Sequence, residues 1–193
     1  MDNTSNSIPG PSTHLQNLPW RYSRTAIALH WVLALLLTAM VALGWYMMSI
    51  EREPGSGWYF DLHKSIGVLV LLLVVARLIW RLRNPPQPLP AAMPGWQIML
   101  ARGIHVLLYL LMLLIPISGY LGASWSKSGV QVFGLATPHW ALPDHDTAEQ
   151  FFAIHSLLIW VLVAVVSLHI LAALKHLLLD KDNVFQRMGF KSR

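Results

Sequence analysis

Hydrophobic positions gather into four long runs, without the half-apolar stripes of helices on a soluble core. The runs are Ala26–Ile50, Leu62–Trp80, Ile104–Ser124 and Phe151–Leu179. Each meets the roughly 20 apolar residues that a helix needs to cross a bilayer. The first holds no formal charge and one histidine, His30. The second is interrupted by His63, Lys64 and Arg77, and the third by His105. The fourth is interrupted by His155, His169, Lys175 and His176. A chain of 193 residues has no surrounding protein in which to bury four such helices. The pattern predicts an all-α, integral membrane four-helix bundle with helices at about 26–50, 62–82, 103–124 and 150–179.

Between the runs the chain is polar or rich in proline. Residues 1–19 are rich in Asn, Ser and Pro, lack the apolar core of a signal peptide and read as a disordered tail. The bundle occupies residues 20–183, and residues 184–193 form a short second tail. Loop one, Glu51–Asp61, is short enough to make helices one and two antiparallel neighbours. Loop two, from Asn84 to Pro90, has the proline content of extended polyproline chain. Loop three, Trp125–Gln150, is long and shows no strand pattern. Pro116 is expected to kink helix three, where Gly119 and Gly122 permit close packing.

Composition narrows the chemistry. The chain is 55% hydrophobic and 12% charged, half the charged fraction of an ordinary soluble domain. With no cysteine it has no disulfide, thiolate metal site, cysteine-held iron–sulfur cluster or covalently attached c-type haem. The net charge of +5 would suit nucleic acid, but its distribution says otherwise. With both termini on one side, that side holds 11 of the 14 basic residues and three acids. The other side holds Arg52, Lys64 and Lys127 against Glu51, Glu53, Asp61, Asp144, Asp146 and Glu149. Lys and Arg are retained in the cytoplasm, so both termini are expected there, and the positive charge is a topology signal.

The intramembrane histidines are the candidate chemistry, because ionisable groups in lipid are costly. His155 and His169 are 14 residues apart on helix four. That spacing leaves them about 40° apart around the axis and about 21 Å apart in depth. They cannot share one metal ion but can serve two centres. His63, opening helix two, lies at the depth of His155; His30, near the start of helix one, lies at the depth of His169. Zinc would want three or four ligands at one level. Two imidazoles per level match the two axial positions of a haem iron. Gly67, on the same helix face as His63, leaves room for a flat ring. By depth, His176 and His105 compete for the inner position. Arg77 and Arg81 either pair with haem propionates or anchor helix two at the headgroups.

The chain resembles the bacterial, nickel-hydrogenase-type cytochrome b561 family over about Tyr22 to Met188. The resemblance rests on an ordered set of short pieces. These are Tyr22-Ser23-Arg24 before Ala28-Leu29-His30-Trp31, Leu62-His63-Lys64-Ser65-Ile66-Gly67, and Arg77-Leu78-Ile79-Trp80-Arg81. They continue with His105 to Tyr109, Pro116 to Tyr120, Phe133-Gly134-Leu135, and Ser167-Leu168-His169 ending in Lys181-Asp182-Asn183. The resemblance implies a multi-pass cytochrome of the bacterial inner membrane with two haem b. It assigns His63 with His155 to the outer haem and His30 with His169 to the inner one, which lowers the standing of His176 and His105. It also implies respiratory-chain electron transport between the ubiquinone pool and a partner on the periplasmic side.

Two readings of that partner follow. One is a periplasmic or membrane-bound redox protein; the other is superoxide, oxidised by an enzyme that passes its electron to ubiquinone. The external side has a net charge of −3, which does not draw in an anion over long range. Lys64 and Lys127 can still form a local positive patch. Asp144, Asp146 and Glu149 suit a basic protein partner, and the generic electron-transfer reading is preferred.

Overall fold

The computed structural model describes residues 21–88, 93–137 and 141–189. The tail at residues 1–19 lies outside this set, as do residues 89–92 of loop two, His139 and residues 190–193. Four long helices dominate: α1 Arg24–Ser49, α2 Gly57–Arg83, α3 Gly95–Trp125 and α4 His145–Lys175. All four are long and apolar enough to cross a membrane. Large apolar side chains such as Leu35, Leu72, Leu157 and Leu171 point outward from the bundle. This is the inversion expected when the solvent is lipid.

The helix ends differ from the hydropathy boundaries because polar contacts set them. Ser23 caps α1, its Oγ accepting from Ala26 N, so the helix starts at Arg24. Asp144 caps α4, accepting from Thr147 N at 2.9 Å, and carries the start back to His145. That same backbone N–H holds the Asp144 carboxyl below its ordinary pKa. α3 begins at Gly95, directly after Pro94, eight residues before the expected start. Gln97 and Arg102 break the apolar run without breaking the helix. α2 gains a first turn with Trp58, Tyr59 and Phe60, aromatic residues suited to the membrane–water boundary. At its far end α4 passes into a single π turn, His176–Asp180, stopped by Lys181 in a left-handed conformation.

One expectation about the connections is corrected. Loop three contains a small antiparallel hairpin, β1 Gln131–Val132 and β2 Leu135–Ala136. Phe133 and Gly134 both adopt positive φ at its tip, the pairing that closes a two-residue hairpin. Four residues were too few to leave an alternating signal. The hairpin is pinned to α2: Ser65 Oγ accepts from Phe133 N at 2.9 Å, and Lys64 Nζ donates to Gly129 O. The described part of the C-terminal tail is structured. It forms a 3-10 turn, Phe185–Met188, that docks on the start of α1. Tyr22 N donates to Arg187 O, Arg21 Nε to Gln186 O, and Trp31 Nε1 to Met188 O at 3.0 Å.

Close backbone packing runs α1–α2, α2–α3 and α3–α4, while α1 and α4 do not pack tightly along their length. The buried side chains accordingly form two cores. Leu33, Val70 and Val74 seal α1 against α2, with Met112 and Leu113 of α3 alongside. Leu111, Ile115, Leu162 and Val165 seal α3 against α4. A seam is left between the α1–α2 half and α4, and side chains rather than backbones bridge it. One bridge is Trp45 against Trp160; the others are the histidines.

Candidate functional site: two histidine pairs across the seam

Four of the intramembrane histidines meet as two pairs. His63 of α2 faces His155 of α4, with ring centres 6.3 Å apart and planes at 79°. His30 of α1 faces His169 of α4, with ring centres 6.3 Å apart and planes at 70°. Metal–imidazole bonds are about 2.0–2.1 Å, and a ligating nitrogen lies about 1.1 Å from its ring centre. Imidazoles on opposite faces of one metal atom therefore stand about 6.2 Å apart, centre to centre. Both pairs have that separation.

The first pair is held from α3. His155 Nδ1 donates to Ile115 O at 2.8 Å, with Ser118 Oγ at 3.5 Å. A carbonyl oxygen only accepts, so Nδ1 carries the proton and Nε2 keeps its lone pair for a metal. Gly119 makes the approach possible: a Cβ there would lie 2.9 Å from His155 Nδ1 and 3.0 Å from Cε1. One turn on, a Cβ at Gly122 would lie 2.7 Å from the Phe152 ring. On the other side of the seam His63 packs against α1, where a Cβ at Gly44 would meet its Cε1 at 3.4 Å. His63 Nδ1 is buried without a hydrogen-bond partner. Gly67 faces Met40, and a Cβ there would meet only its Cε, at 3.8 Å.

The second pair is bordered by charge and by a third histidine. Arg77 reaches back from α2, with Nη1 donating to Ala26 O at 3.2 Å and Nη2 3.3 Å from His30 Nδ1. Arg81, one turn further out, donates to Tyr22 Oη at 3.2 Å. His105 lies beside His169 with ring centres 5.5 Å apart, its Nδ1 donating to Ala101 O at 2.7 Å. That separation is too short for a metal atom between trans imidazoles. His105 also sits on α3, which packs directly on α4, whereas His30 lies across the seam. His176 is engaged elsewhere: its Nδ1 is 2.7 Å from Asp182 and 3.2 Å from Asp180. Asp180 is also paired with Lys175. Among the described residues, the trio with ligand atoms close enough for one small ion is His176, Asp180 and Asp182, and no such trio lies in the seam.

The sequence did not point to Gly119, Ser118 or the Ile115 carbonyl as partners of a histidine. Gly119 carried a signal of close packing, but the packed group could not be named. Lys64 is less available than its position suggested: its Nζ is 2.7 Å from Asp61. His145 is exposed at the first turn of α4, as a solvated residue should be.

The unpartnered His63 Nδ1, the glycine cradles and the equal imidazole separations all fit flat metal-bearing rings in the seam. Comparison with known proteins names the same chemistry. Cytochrome b561 homolog 2 of Escherichia coli is 38% identical over 181 residues, covering 91% of this chain and 95% of the relative. A protein of Yersinia pestis named probable superoxide oxidase CybB is 33% identical over 181 residues, covering 90% and 98%. Cytochrome b561 homolog 1 of Escherichia coli is 30% identical over 180 residues, covering 87% and 96%. The profile of the prokaryotic cytochrome b561 family matches residues 21–191, and the chain belongs to that family of b-type haem membrane cytochromes.

Proposed function

We propose that the protein is a dihaem membrane cytochrome that carries electrons between the quinone pool and a redox partner at the loop-three face. The equal 6.3 Å separation of the two histidine pairs carries this reading. His63 and His155 would hold one haem b, and His30 and His169 the other. Each haem supplies reversible one-electron iron chemistry. The chain would supply the ligating nitrogens, orient them and shield the rings from water. Ile115 O does this for His155 by keeping the proton on Nδ1. Gly67 leaves space beside His63 for the ring.

Arg77 and Arg81 supply positive charge for the haem carboxylates at the inner pair. The His30 geometry supports this for Arg77. A guanidinium only donates, so its contact with His30 Nδ1 requires that nitrogen to be unprotonated. An imidazole ligating through Nε2 carries its proton on Nδ1. Ligation and the Arg77 contact are therefore alternatives, and a ligated His30 frees Arg77 for a carboxylate. The excess of basic residues at the termini end supports a cytoplasmic position for that end in a bacterial inner membrane.

Superoxide oxidation is the second reading, supported by the name of the Yersinia pestis relative. Local charge does not favour it. Lys64 is neutralised by Asp61 at 2.7 Å, and Asp144, Asp146 and Glu149 crowd the start of α4. A basic protein partner suits that surface better than an anion. Stopped-flow measurement of haem reduction decides between them, with superoxide, a quinol and a basic redox protein offered in turn. Rapid reduction by superoxide, unaffected by salt and by removal of the acidic cluster, would reject the partner-protein reading.

A further inference from the structure

One polar residue of α2 is buried on the side of the helix that faces lipid. At about 100° per residue, Val70 and Val74 share the face of His63 and are sealed inside the bundle. Leu72 and Leu69, about 180° and 240° around the helix from His63, are exposed on the opposite side. Ser65 lies on that outward side too, about 200° from His63, yet it is only 3% exposed. The hairpin of loop three covers it: Ser65 Oγ accepts from Phe133 N at 2.9 Å while donating to Asp61 O at 2.7 Å. The hairpin therefore lies outside the bundle, against the lipid-facing surface of α2. The same contact gives its depth. Ser65 is seven residues past Trp58, so it lies about 10 Å further along α2 than the aromatic first turn. A tip at the level of Ser65 is beneath the membrane–water boundary that Trp58 and Tyr59 mark.

The hairpin is suited to that depth. Residues 128–136 carry no formal charge. Backbone groups in lipid must find their partners within the protein. Phe133 N is held by Ser65, Gly129 O by Lys64 Nζ at 3.3 Å, and Val130 O by both Thr137 N and Thr137 Oγ1. The side chains turned outward at the tip are apolar, with Phe133 65% and Leu135 75% exposed. Phe133 holds a φ of 50°, the left-handed region that a bulky residue adopts only under constraint.

We propose that the Phe133-Gly134-Leu135 tip is a re-entrant membrane anchor, seated among the acyl chains of the leaflet on the loop-three side. Phe133 and Leu135 continue the lipid-facing surface that Leu69 and Leu72 begin. The partner of the tip is hydrocarbon rather than a second protein. No charge stands within residues 128–136 to complement one, and the acids of loop three gather at the start of α4 instead. Seated there, the hairpin keeps lipid off Lys64 and Ser65, the polar residues that follow His63 in α2.

The chain has no cysteine, so a single introduced thiol can be labelled alone. Phe133→Cys and Leu135→Cys carry a nitroxide, with Leu72→Cys as the lipid reference and Asp146→Cys as the aqueous one. Each holoprotein is reconstituted in vesicles of phosphatidylethanolamine and phosphatidylglycerol, with its circular dichroism matched to the wild type. Leu135→Cys leaves Phe133 in place, so the test survives if the strained position does not tolerate substitution. Power-saturation electron paramagnetic resonance reads collisions with oxygen, which concentrates in lipid, and with a nickel chelate, which stays in water, each as a change from nitrogen. Both hairpin labels should meet the nickel chelate several-fold less than Asp146→Cys and meet oxygen more, as Leu72→Cys does. Nickel access equal to that of Asp146→Cys at either position would overturn the anchor. Such access, if it falls when a basic redox protein is added, would assign the tip to a protein partner instead.

Discussion

Gly119→Ala separates a histidine held for a cofactor from one that merely packs. The new methyl carbon would lie 2.9 Å from His155 Nδ1 and 3.0 Å from Cε1. Ordinary contact needs about 3.5–4.0 Å, so the ring must retreat by about 0.5–1 Å. That movement breaks the 2.8 Å bond to Ile115 O, at a net cost of about 1 kcal/mol. Replacing glycine by alanine inside a helix returns about 0.8–1.0 kcal/mol. The fold should therefore be nearly indifferent to the change. Cofactor affinity should not be, because losing the group that orients a ligating histidine typically costs about 10–100-fold. Gly103→Ala on the same helix is the control, since a Cβ there meets nothing within 4 Å. Haem retention on a desalting column, read by pyridine haemochrome per mole of protein, should fall from two toward one in Gly119→Ala. Gly103→Ala should match the wild type. Both haems held as tightly in Gly119→Ala as in the control would refute the orienting role of Ile115 and the crowding at His155.

Further outcomes follow from the same geometry. Gly67→Ala meets only Met40 at 3.8 Å within the protein, so haem loss in that variant, measured by absorbance, would report a ring beside His63. His105→Ala and His176→Ala should leave both irons six-coordinate by low-temperature electron paramagnetic resonance. The near-perpendicular imidazole planes should give strongly anisotropic low-spin signals in the same spectra. Conversion of Asp144, Asp146 and Glu149 to amides should slow transfer to a basic redox protein and flatten its dependence on ionic strength in stopped flow. The Asp144 carboxyl is held below its ordinary pKa by Thr147 N–H, so its capping is intact above the unfolded-state value and fades as pH falls through the lowered one. Thermal melts should show Asp144→Ala lowered and Asp144→Asn close to wild type.

The four helices were legible because lipid imposes a length and composition that a short chain reaches in no other way. That His155 and His169 stand on one face at two depths was legible too, since 14 residues on one helix fix both rotation and depth. The choice of His30 with His169 over His105 and His176 came from the resemblance, because depth alone left them competing. Polar capping was harder to read: Asp144 and Pro94 set helix starts that hydropathy alone puts further in. The hairpin at Gln131–Ala136 was hidden because two-residue strands carry no period. The roles of Gly119 and Ile115 O were hidden for another reason. They depend on which face of α3 meets α4, and an apolar helix exposed to lipid has too little contrast around its axis to say.

A potentiometric titration of the reduced-haem absorbance, run on the wild type with His155→Ala and His169→Ala alongside, decides whether the two histidine pairs hold two separate haems. Two one-electron components are expected in the wild type. His155→Ala should lose one and His169→Ala the other. A single component in the wild type, or the same component lost in both variants, would contradict that arrangement.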